Sequence, residues 1–338
     1  MPRGTDIAHA AEVLRAGGLV AFPTETVYGL GADASRDDAA AKIFAVKGRP
    51  TGHPLIVHLA PDAKLDDWAV DVPEAARRLA AAAWPGPLTI ILKRGPRVAL
   101  ATTGGAETVG LRMPAHPMAQ ALLYAFGGGI AAPSANRFGA VSPTTADHVV
   151  SDLGDNVDYV LDGGPCEVGV ESTIVDLSRG RPVLLRPGGW PRETIEAIVG
   201  PLAEADAEAP AAPGTLASHY APRAEVIAVE LADVPAMIEA VRGEATVPVS
   251  GAGPARDRKI AVLAPRAAFT GWPNLDAVVY ALPDDLAGMA HDLYAALRDL
   301  DAKGVDVVIA ALPPAVGLGE AVGDRLRRAA GPRGSSKP

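Results

Sequence analysis

Short apolar runs alternate with helical patterns along most of this chain, and no other feature constrains its fold as strongly. Within the first 200 residues, eight runs have the length and composition of strands: GLVAF, PLIVHL, LTIIL, TVGLRMP, GGIAAPS, VDYVLDG, STIVDLS and PVLLRPG. Six segments have helical periodicity: 6–16, 36–46, 73–83, 115–125, 143–150 and 191–199. Because some strands follow one another directly, the pattern predicts an α/β domain with a mixed sheet. The fifth helix is predicted to begin with Ser142 as its N-cap and Pro143 at its first position.

A second α/β pattern follows a change of composition. The length of 338 residues already suggests about two domains. Residues 201–223 are rich in Pro, Ala and acidic residues without an apolar period, which predicts a linker or an extended arm. Beyond them, the strands EVIAVE, KIAVLAP, DAVVYAL and VDVVIAAL alternate with helices near 232–242, 284–301 and 319–329. We therefore predict a first domain over 1–200 and a smaller, Rossmann-like α/β domain over 224–338, ending in a frayed tail, GPRGSSKP.

The charge and composition argue against several classes of protein. The net charge is −9; residues 1–200 carry 18 Lys and Arg against 22 Asp and Glu (−4), and the remainder carry 13 against 18 (−5). Neither part has the basic field of a general nucleic-acid binder, although a local basic patch stays open. Only 4% of the residues are aromatic, so an aliphatic core is predicted.

The single cysteine and the N-terminus indicate a compartment. Cys166 stands alone, which excludes an intramolecular disulfide and fits a reducing environment. The N-terminal segment has no apolar core of the signal-peptide type, and no apolar run approaches the ~20 residues that span a bilayer. We expect a soluble, cytoplasmic protein with no membrane partner.

The segment LVAFPTETVYGLGAD, residues 19–33, begins like a buried strand and then presents hydroxyls, a carboxylate and two glycines. The hydroxyls of Thr24 and Thr26 could simply cap a turn, or they could line a site. Gly29 and Gly31 are expected to let the backbone turn tightly behind them. The role of Glu25 stays open between ordering this loop and approaching a substrate ammonium group.

Lys47 and Arg49 lie in a turn that Gly48 and Pro50 create after the second helix. Two cations beside flexible backbone suit a polyphosphate, and arginine offers forked donors. The alternative is a solvated basic loop. The spacing does not match a phosphate-binding Walker loop or the GxGxxG motif of dinucleotide-binding proteins.

Two further arginines, Arg112 and Arg186, end strands immediately before prolines. They could be surface residues, or they could point into a common crevice where ligands of α/β proteins bind. Polar residues cluster after two other strands and allow either turn chemistry or a polar rim over a nucleotide, with a helix N-terminus at Ser142 available for phosphate. They are Ser134, Asn136, Ser142, Thr144, Thr145, Ser172 and Thr173.

The histidines and the cysteine do not indicate a metal site. His53 and His58 are not spaced as in HExxH and have no cysteine partner, so zinc is not expected; His58 follows an apolar run and could be a core histidine. Cys166 has no neighbour that would lower its pKa, which favours a structural thiol. His219 and Tyr220 are unusual for a linker. The pooled cations and hydroxyls favour a site that binds a nucleotide and a second substrate for direct attack.

Seven motifs and the linker resemble one known family. PTETVYGLG, KGRP…HPLIVHL, WPGPLTIIL, VGLRMP, APSAN, DGGPC…ESTIVD and LLRPG occur in the order seen in the YrdC-like threonylcarbamoyl-AMP synthases. PGTLASHYAP followed by an α/β domain resembles the two-domain form. The resemblance implies a YrdC-like mixed-sheet catalytic domain. It also implies a nucleotidyltransferase that makes threonylcarbamoyl-AMP and pyrophosphate from L-threonine, bicarbonate or CO2, and ATP with Mg2+. A downstream transferase would then modify tRNA.

The resemblance also implies site residues. Lys47 and Arg49 would bind phosphate and act in catalysis. ATP contacts would be Arg49, His53, Thr108, Ser134, Asn136, Ser142, Arg186 and, in a lid formed by the linker, Tyr220. L-threonine contacts would be Thr26, His58, Arg112, Ser172 and the backbone around Ala132. No protein metal site is expected.

Two alternatives stay open at this stage. The first domain could be an RNA-binding or ribosome-assembly module, although its charge of −4 argues against this. The chain could also transfer carbamoyl groups to a protein, as hydrogenase-maturation enzymes with a related domain do, but a single cysteine cannot supply their zinc finger.

Overall fold

The computed structural model describes residues 2–244, 258–272 and 275–332. The chain divides into two compact units. The first unit comprises residues 1–138 and 142–215, and the second comprises 139–141 and 216–338. Most of the tail that was predicted to fray, residues 333–338, lies outside the described residues.

The first unit contains every strand and helix predicted for residues 1–200. Its helices are α1 (Ile7–Arg15), α2 (Asp37–Lys47), α3 (Glu74–Ala83), α4 (Pro117–Phe126), α5 (Ala146–Leu153) and α6 (Arg192–Val199). Its strands are β1 (Arg3–Gly4), β2 (Val20–Phe22), β3 (Gly29–Asp33), β4 (Ile56–His58), β5 (Ala69–Val70), β6 (Leu88–Arg94), β7 (Thr108–Arg112), β8 (Ile130–Ala131), β9 (Tyr159–Leu161), β10 (Thr173–Asp176), β11 (Val183–Arg186) and β12 (Ala203–Glu204).

These twelve strands form one mixed sheet, which confirms the predicted fold class. The strand order is β1-β9-β2-β3-β8-β4-β7-β6-β10-β11-β12, and β5 pairs with β6. Parallel pairs such as β4–β7 and β6–β10 alternate with antiparallel pairs such as β6–β7 and β4–β8. The strands β4, β7, β6 and β10 are therefore neighbours, which decides where the polar side chains at their ends meet.

The cores of the first unit are aliphatic, as the composition predicts. A large cluster rich in Ala, Val, Leu and Ile includes Leu30, Ile43 and Leu111, and a second includes Leu14, Leu122 and Ile130. Because the sheet supplies residues to both clusters, it is covered by apolar side chains along much of its length.

The prediction for Gly29 and Gly31 is wrong. Both lie inside β3, which pairs with β2, and neither has a positive φ. A Cβ at Gly31 would lie 2.7 Å from Ile130 Cγ2 and 2.8 Å from Phe22 Cε1, and one at Gly29 would lie 3.2 Å from Ala132 Cβ. These glycines therefore permit close packing of neighbouring side chains rather than a turn.

The predicted start of the fifth helix is also wrong. Helix α5 begins at Ala146, and the side chain of Thr145 caps it by accepting from the His148 N–H at 3.3 Å. A threonine in extended conformation satisfies a free N–H group of the first turn as well as Ser142 would have done.

The start and end signals of helix α2 explain the position of Lys47. Asp37 and Asp38 lie in the first turn, where the helix dipole stabilises negatively charged carboxylates. Gly48 ends the helix in the left-handed conformation with φ 62°, as predicted from its position. Lys47 is therefore the last helical residue, and the chain turns immediately after it.

Residues 203–215 of the predicted linker pack within the first unit. Strand β12 pairs in parallel with β11 at the edge of the sheet. Ala212 is buried in an apolar cluster with Ile56, Ile91 and Ile174. This part of the chain is an extended arm that is packed against the sheet.

The second unit contains a parallel four-stranded sheet, as predicted. Its strands are β13 (Glu225–Glu230), β14 (Ile260–Pro265), β15 (Val278–Leu282) and β16 (Val307–Leu312), in the order β13-β16-β14-β15. Its helices are α7 (Val234–Glu244), α8 (Leu286–Ala302) and α9 (Leu318–Ala329). All three strand pairs are parallel.

Candidate active site

Three neighbouring strands bring polar side chains to one end of the large sheet. In the parallel pair β4–β7, His58 lies opposite Arg112. In the antiparallel pair β6–β7, Ile90 lies opposite Leu111, so the same register puts Thr89 opposite Arg112. Residues opposite one another on adjacent strands point to the same face. His58, Arg112 and Thr89 therefore form a row on one face of the sheet.

Arg112 is buried in a network of charged hydrogen bonds, so the surface alternative is wrong for it. Its Nη2 donates to Glu25 Oε1 at 2.7 Å and to Thr26 Oγ1 at 2.9 Å. Glu25 Oε2 accepts from the backbone N–H of Ala115 at 3.0 Å. Of the two roles left open for Glu25, these contacts support ordering: its carboxylate joins the loop after β2 to the end of β7.

Thr24 extends this network, and the sequence analysis did not assign it to the site. Its Oγ1 donates to the Val27 carbonyl at 2.6 Å and lies 2.8 Å from Thr26 Oγ1. Because the only hydroxyl hydrogen of Thr24 is used by Val27, Thr26 donates to Thr24 while it accepts from Arg112. The T-x-T spacing, in which the first hydroxyl accepts from the N–H two residues later at 3.2 Å, is the local signal that could have identified Thr24.

Arg186 is buried too, and it holds the start of β10. Its Nη2 donates to the Ser172 carbonyl at 2.8 Å, and its Nη1 donates to the Pro213 carbonyl at 2.8 Å. Ser172 Oγ lies 2.8 Å from Thr89 Oγ1. Arg186 thus contacts Ser172, which contacts Thr89, the residue opposite Arg112; the common crevice itself stays a prediction.

His58 completes this cluster as a neutral imidazole. Burial, with a smaller effect of Arg112, lowers the pKa of His58 to about 3. Its ring packs edge-on against Phe22 with centroids 5.8 Å apart. The core-histidine interpretation is right about burial, but the register beside Arg112 also places His58 in the cluster.

The predicted threonine contacts are therefore neighbours. Thr26, His58, Arg112 and Ser172 belong to the connected cluster described above, which we call the Arg112 cluster. The fifth, Ala132, follows β8, and its N–H donates to the Ile56 carbonyl at 2.8 Å, two residues before His58.

A second cationic cluster, which we call the Lys47 cluster, is built around the end of α2. Lys47 Nζ donates to the Ser134 carbonyl at 2.5 Å, to the Asn136 carbonyl, and to Asn136 Oδ1 at 3.4 Å. Lys47 is 4% exposed and Arg49 is 6% exposed, so the solvated-loop alternative is wrong. Burial, with Arg49 as a second cause, holds the pKa of Lys47 well below its usual value.

Arg49 is held among backbone and aromatic groups in the same cluster. Its Nη2 donates to the Pro54 carbonyl at 3.0 Å, and its guanidinium lies 5.6 Å from the centre of the Phe138 ring. The same ring packs edge-on against His53 with centroids 5.5 Å apart. Burial, followed by Arg49, lowers the pKa of His53. Phe138 was missed by the sequence analysis; in a chain with so few aromatics, its position directly after APSAN-R was the available signal.

The strand β7 carries two of the predicted contacts, Thr108 and Arg112. Side chains alternate along a strand, so Thr108, Gly110 and Arg112 share one face, and Thr108 lies about 13 Å from Arg112. Ile56 and Ile91 lie opposite Gly110 on the neighbouring strands. The face between the two polar residues is therefore apolar, and it is buried, because Ile56 and Ile91 belong to an apolar cluster that includes Ala212 of the arm.

Ser142 does not lie at a helix N-terminus, so the predicted phosphate site at that position is wrong. Its hydroxyl donates to Glu171 Oε1 at 2.6 Å, and both side chains are buried. Glu171 was missed, although it directly precedes Ser172 in the motif ESTIVD.

Tyr220 and His219 belong to the second unit. Tyr220 is buried, its ring stacks on Tyr294 with centroids 5.8 Å apart, and the Arg325 guanidinium lies 5.0 Å from its centre. Tyr220 has φ 60°, a left-handed conformation that is uncommon for a bulky side chain. The proposed nucleotide contact of Tyr220 stays a prediction.

The remaining reactive groups are the Cys166 thiol and the acidic side chains. Burial raises the pKa of the Cys166 thiol to about 12, which fits the structural role predicted for it. In the described ranges, no group of three or more His, Cys, Asp or Glu side chains could hold a metal ion. No helix in the described part of the chain is long and apolar enough to cross a membrane.

The arrangement suits charge stabilisation more than covalent catalysis. Two buried cationic clusters lie in the first unit, and burial raises the pKa of the single cysteine, Cys166, to about 12, so its thiol is protonated at neutral pH. Fixed cations and hydrogen-bond donors can orient two substrates and stabilise developing negative charge. The mixed sheet agrees with the YrdC-like class that the sequence motifs resemble.

Comparisons with known proteins agree with this class and narrow it. A family model for Sua5, YciO and YrdC proteins, described as "Telomere recombination", matches residues 12–188. A second, described as "Threonylcarbamoyl-AMP synthase, C-terminal domain", matches residues 191–331. The threonylcarbamoyl-AMP synthase of Pyrococcus abyssi is 43% identical over 336 residues, which cover 96% of this chain and 94% of that protein. The chain belongs to the threonylcarbamoyl-AMP synthase family.

Two further relatives support this assignment. The threonylcarbamoyl-AMP synthase of Bacillus subtilis is 43% identical over 334 residues, covering 97% of this chain and 93% of that protein. The crystal structure of P. abyssi Sua5 complexed with L-threonine has a TM-score of 0.87 and 41% identity, covering 97% of this chain and 96% of that chain. The similarity therefore extends over both units.

Proposed function

We propose that this protein is an L-threonylcarbamoyladenylate synthase that uses L-threonine, bicarbonate or CO2, and ATP. The observation that carries the proposal is the presence of two buried cationic clusters in the first unit, in a chain that matches its family over nearly its whole length. The Arg112 cluster has the donors for an amino-acid carboxylate, and the L-threonine complex of a relative 41% identical supports that ligand.

The chemistry follows from holding both substrates in place. The ammonium group of threonine loses one proton, its nitrogen bonds to the carbon of CO2, and a second proton leaves to give the N-carboxylate. When bicarbonate is the source, the amine nitrogen bonds to its carbon and water leaves in place of the second proton. A carboxylate oxygen then attacks the α-phosphorus of ATP, and the bond from that phosphorus to the bridging oxygen breaks. Pyrophosphate leaves with the electron pair, and threonylcarbamoyl-AMP remains.

We assign the residues of this chain to steps by their place in the fold. Arg112 binds the threonine carboxylate, which leaves the amino group free to react. Arg49 supplies charged donors to the phosphates, and Lys47 holds the loop 134–136 that carries Ser134 and Asn136. Thr108, Arg186 and His53 are proposed to contact the nucleotide.

Mg2+ fits this site as a companion of ATP. It prefers oxygen ligands and is usually bound through substrate phosphates with only one or two carboxylates. The described residues form no metal cage, and Glu171, which was not predicted as a contact but is hydrogen-bonded to the predicted contact Ser142, is a carboxylate that could approach the ion. The ion would neutralise phosphate charge when bound.

A downstream tRNA threonylcarbamoyl transferase and a cytoplasmic location stay predictions from the family resemblance and the composition. The unstable acyl-adenylate product requires an enzyme that consumes it by acyl transfer.

The test is pyrophosphate release by the purified full chain with ATP and Mg2+. We expect release only when L-threonine and bicarbonate are both present, and an adenylate of the corresponding mass. Release without threonine, or none with all four components, would contradict the proposal.

A further inference from the structure

Glu25 lies at the centre of the Arg112 cluster, yet the proposed reaction assigns it no role. Glu25 and Arg112 are each 4% exposed, and their side chains form an ion pair of 2.7 Å. An ion pair so thoroughly buried needs further hydrogen bonds to offset the loss of water around both charges. The contacts of both partners therefore indicate what the pair does.

The hydrogen bonds of Arg112 are confined to one of its three nitrogens. Nη2 donates to Glu25 and to Thr26, whereas no acceptor among the described residues reaches Nε or Nη1. A guanidinium group is planar and rigid, so fixing both hydrogens of Nη2 fixes the directions of the remaining donors. Nε and Nη1 are thus oriented donors with no acceptor in the described part of the chain.

Glu25 is in turn held from two other segments of the chain. Its Oε2 accepts from the N–H of Ala115 at 3.0 Å, and its carbonyl accepts from the N–H of Val168 at 2.8 Å. The carboxylate is therefore a fixed point to which Arg112 is attached.

The pair also sets the charge of the pocket. A buried arginine without a partner would attract any anion, whereas the Arg112–Glu25 pair carries no net charge. A free amino acid is a zwitterion, with a carboxylate for Arg112 and an ammonium group that a nearby carboxylate favours. Complementary charges of this kind act mainly on specificity.

We propose that Glu25 is a positioning and specificity-determining residue. It directs the free donors of Arg112 to the substrate carboxylate. It also makes the pocket select a zwitterionic amino acid over a simple carboxylate. This inference rests on the proposed function, because it takes L-threonine as the ligand of the Arg112 cluster.

The test compares two ligands and three variants of the full chain. L-threonine and 3-hydroxybutanoate differ only in the ammonium group, and their affinities are measured by calorimetry. Glu25→Gln removes the charge at constant size, Glu25→Asp keeps it, and Glu167→Gln makes the same change at an exposed glutamate nearby.

We expect Glu25→Gln to reduce the preference for L-threonine over 3-hydroxybutanoate by about tenfold or more, as for loss of a charged hydrogen bond. Glu25→Asp should retain most of the preference, and Glu167→Gln should equal the wild type. The KM for ATP should stay within about twofold in all three, since Glu25 contacts no residue of the Lys47 cluster.

Two results would overturn the inference. One is an unchanged ligand preference in Glu25→Gln. The other is an equal loss of threonine and ATP binding in both Glu25 variants, which would mark a purely structural residue. A wild-type protein that binds L-threonine but releases no pyrophosphate would contradict the proposed reaction, while the ligand preference would still test Glu25.

Discussion

At the scale of single residues, two arginines of the candidate site have different surroundings. Arg112 is fixed by Glu25 and Thr26, and Arg49 is held by the Pro54 carbonyl and the Phe138 ring. Both are buried, so each can form strong charged hydrogen bonds with a ligand. Because they belong to different clusters, their contributions to the two substrates should be measurable separately.

We expect Arg112→Ala to raise the KM for L-threonine and Arg49→Ala to raise the KM for ATP. Each loss should amount to about 1.5–3 kcal/mol, the usual value for hydrogen bonds to charged groups. Steady-state kinetics with one substrate varied at a time measures this, and Arg78→Ala, at an exposed position of α3, is the control. The opposite pattern of KM changes would show that the two clusters are assigned to the wrong substrates.

His58 should make the stability of the protein depend on pH. Its pKa is about 3 in the folded protein, below the value of 6.5 for a free histidine, so the unfolded chain binds the proton more readily between these values. Stability is then fully present above pH 6.5 and falls as the pH decreases towards 3, by at most about 1.4 kcal/mol per pH unit.

Urea denaturation between pH 7 and pH 5 tests this, since few carboxylates titrate in that range. We expect His58→Gln to lose part of the decrease that the wild type shows, and His9→Gln, at an exposed position, to retain it. An identical slope in the wild type and His58→Gln would contradict the prediction.

At the scale of elements, residues 203–215 form an extended arm. Their composition predicts a linker or an extended arm, and the second is right, because β12 extends the sheet and Ala212 packs with Ile56, Ile91 and Ile174. Arg186 also donates to the Pro213 carbonyl. The arm therefore covers part of the same sheet face that carries Gly110 and the row of polar residues.

We expect Ala212→Glu to detach this arm, because a carboxylate cannot remain in the apolar cluster without a partner. The free energy of unfolding should fall by about 1–3 kcal/mol, and limited proteolysis should cut within 201–215 more rapidly. Ala211→Glu is the matched control, since Ala211 is exposed. Equal behaviour of the two variants would show that the arm is not held by Ala212.

At the scale of the whole molecule, the charge distinguishes an enzyme from an RNA-binding module. The net charge of −9 provides no general attraction to phosphate backbones, and the cations of the site are buried or paired. Affinity for nucleic acid rests largely on phosphate contacts and the counterions they release.

We therefore expect no stable complex with tRNA at physiological salt. Filter binding or fluorescence anisotropy with labelled tRNA, over a series of salt concentrations, measures this. Submicromolar, strongly salt-dependent binding in the absence of ATP turnover would favour the RNA-binding alternative instead.

The sequence alone determined most of the elements and the family. Periodicity identified eight of the eleven strands and all six helices of residues 1–200, and the parallel sheet of the second unit, because repeats of two and 3.6 residues are local properties; it missed β1, β3 and β5. The order of the motifs identified the threonylcarbamoyl-AMP synthases. It also named Lys47, Arg49, Arg112 and Arg186, although local pattern could not decide whether they are buried.

Only the tertiary structure decided how those residues are used. Glu25 meets Arg112 across 87 positions of sequence, and Lys47 meets Asn136 across 89, so no local pattern contains these contacts. Gly31 is required because Phe22 and Ile130, on neighbouring strands, occupy the space of a side chain. The role of a residue in this site depends on which strands are adjacent, and that adjacency exists only once the sheet has formed.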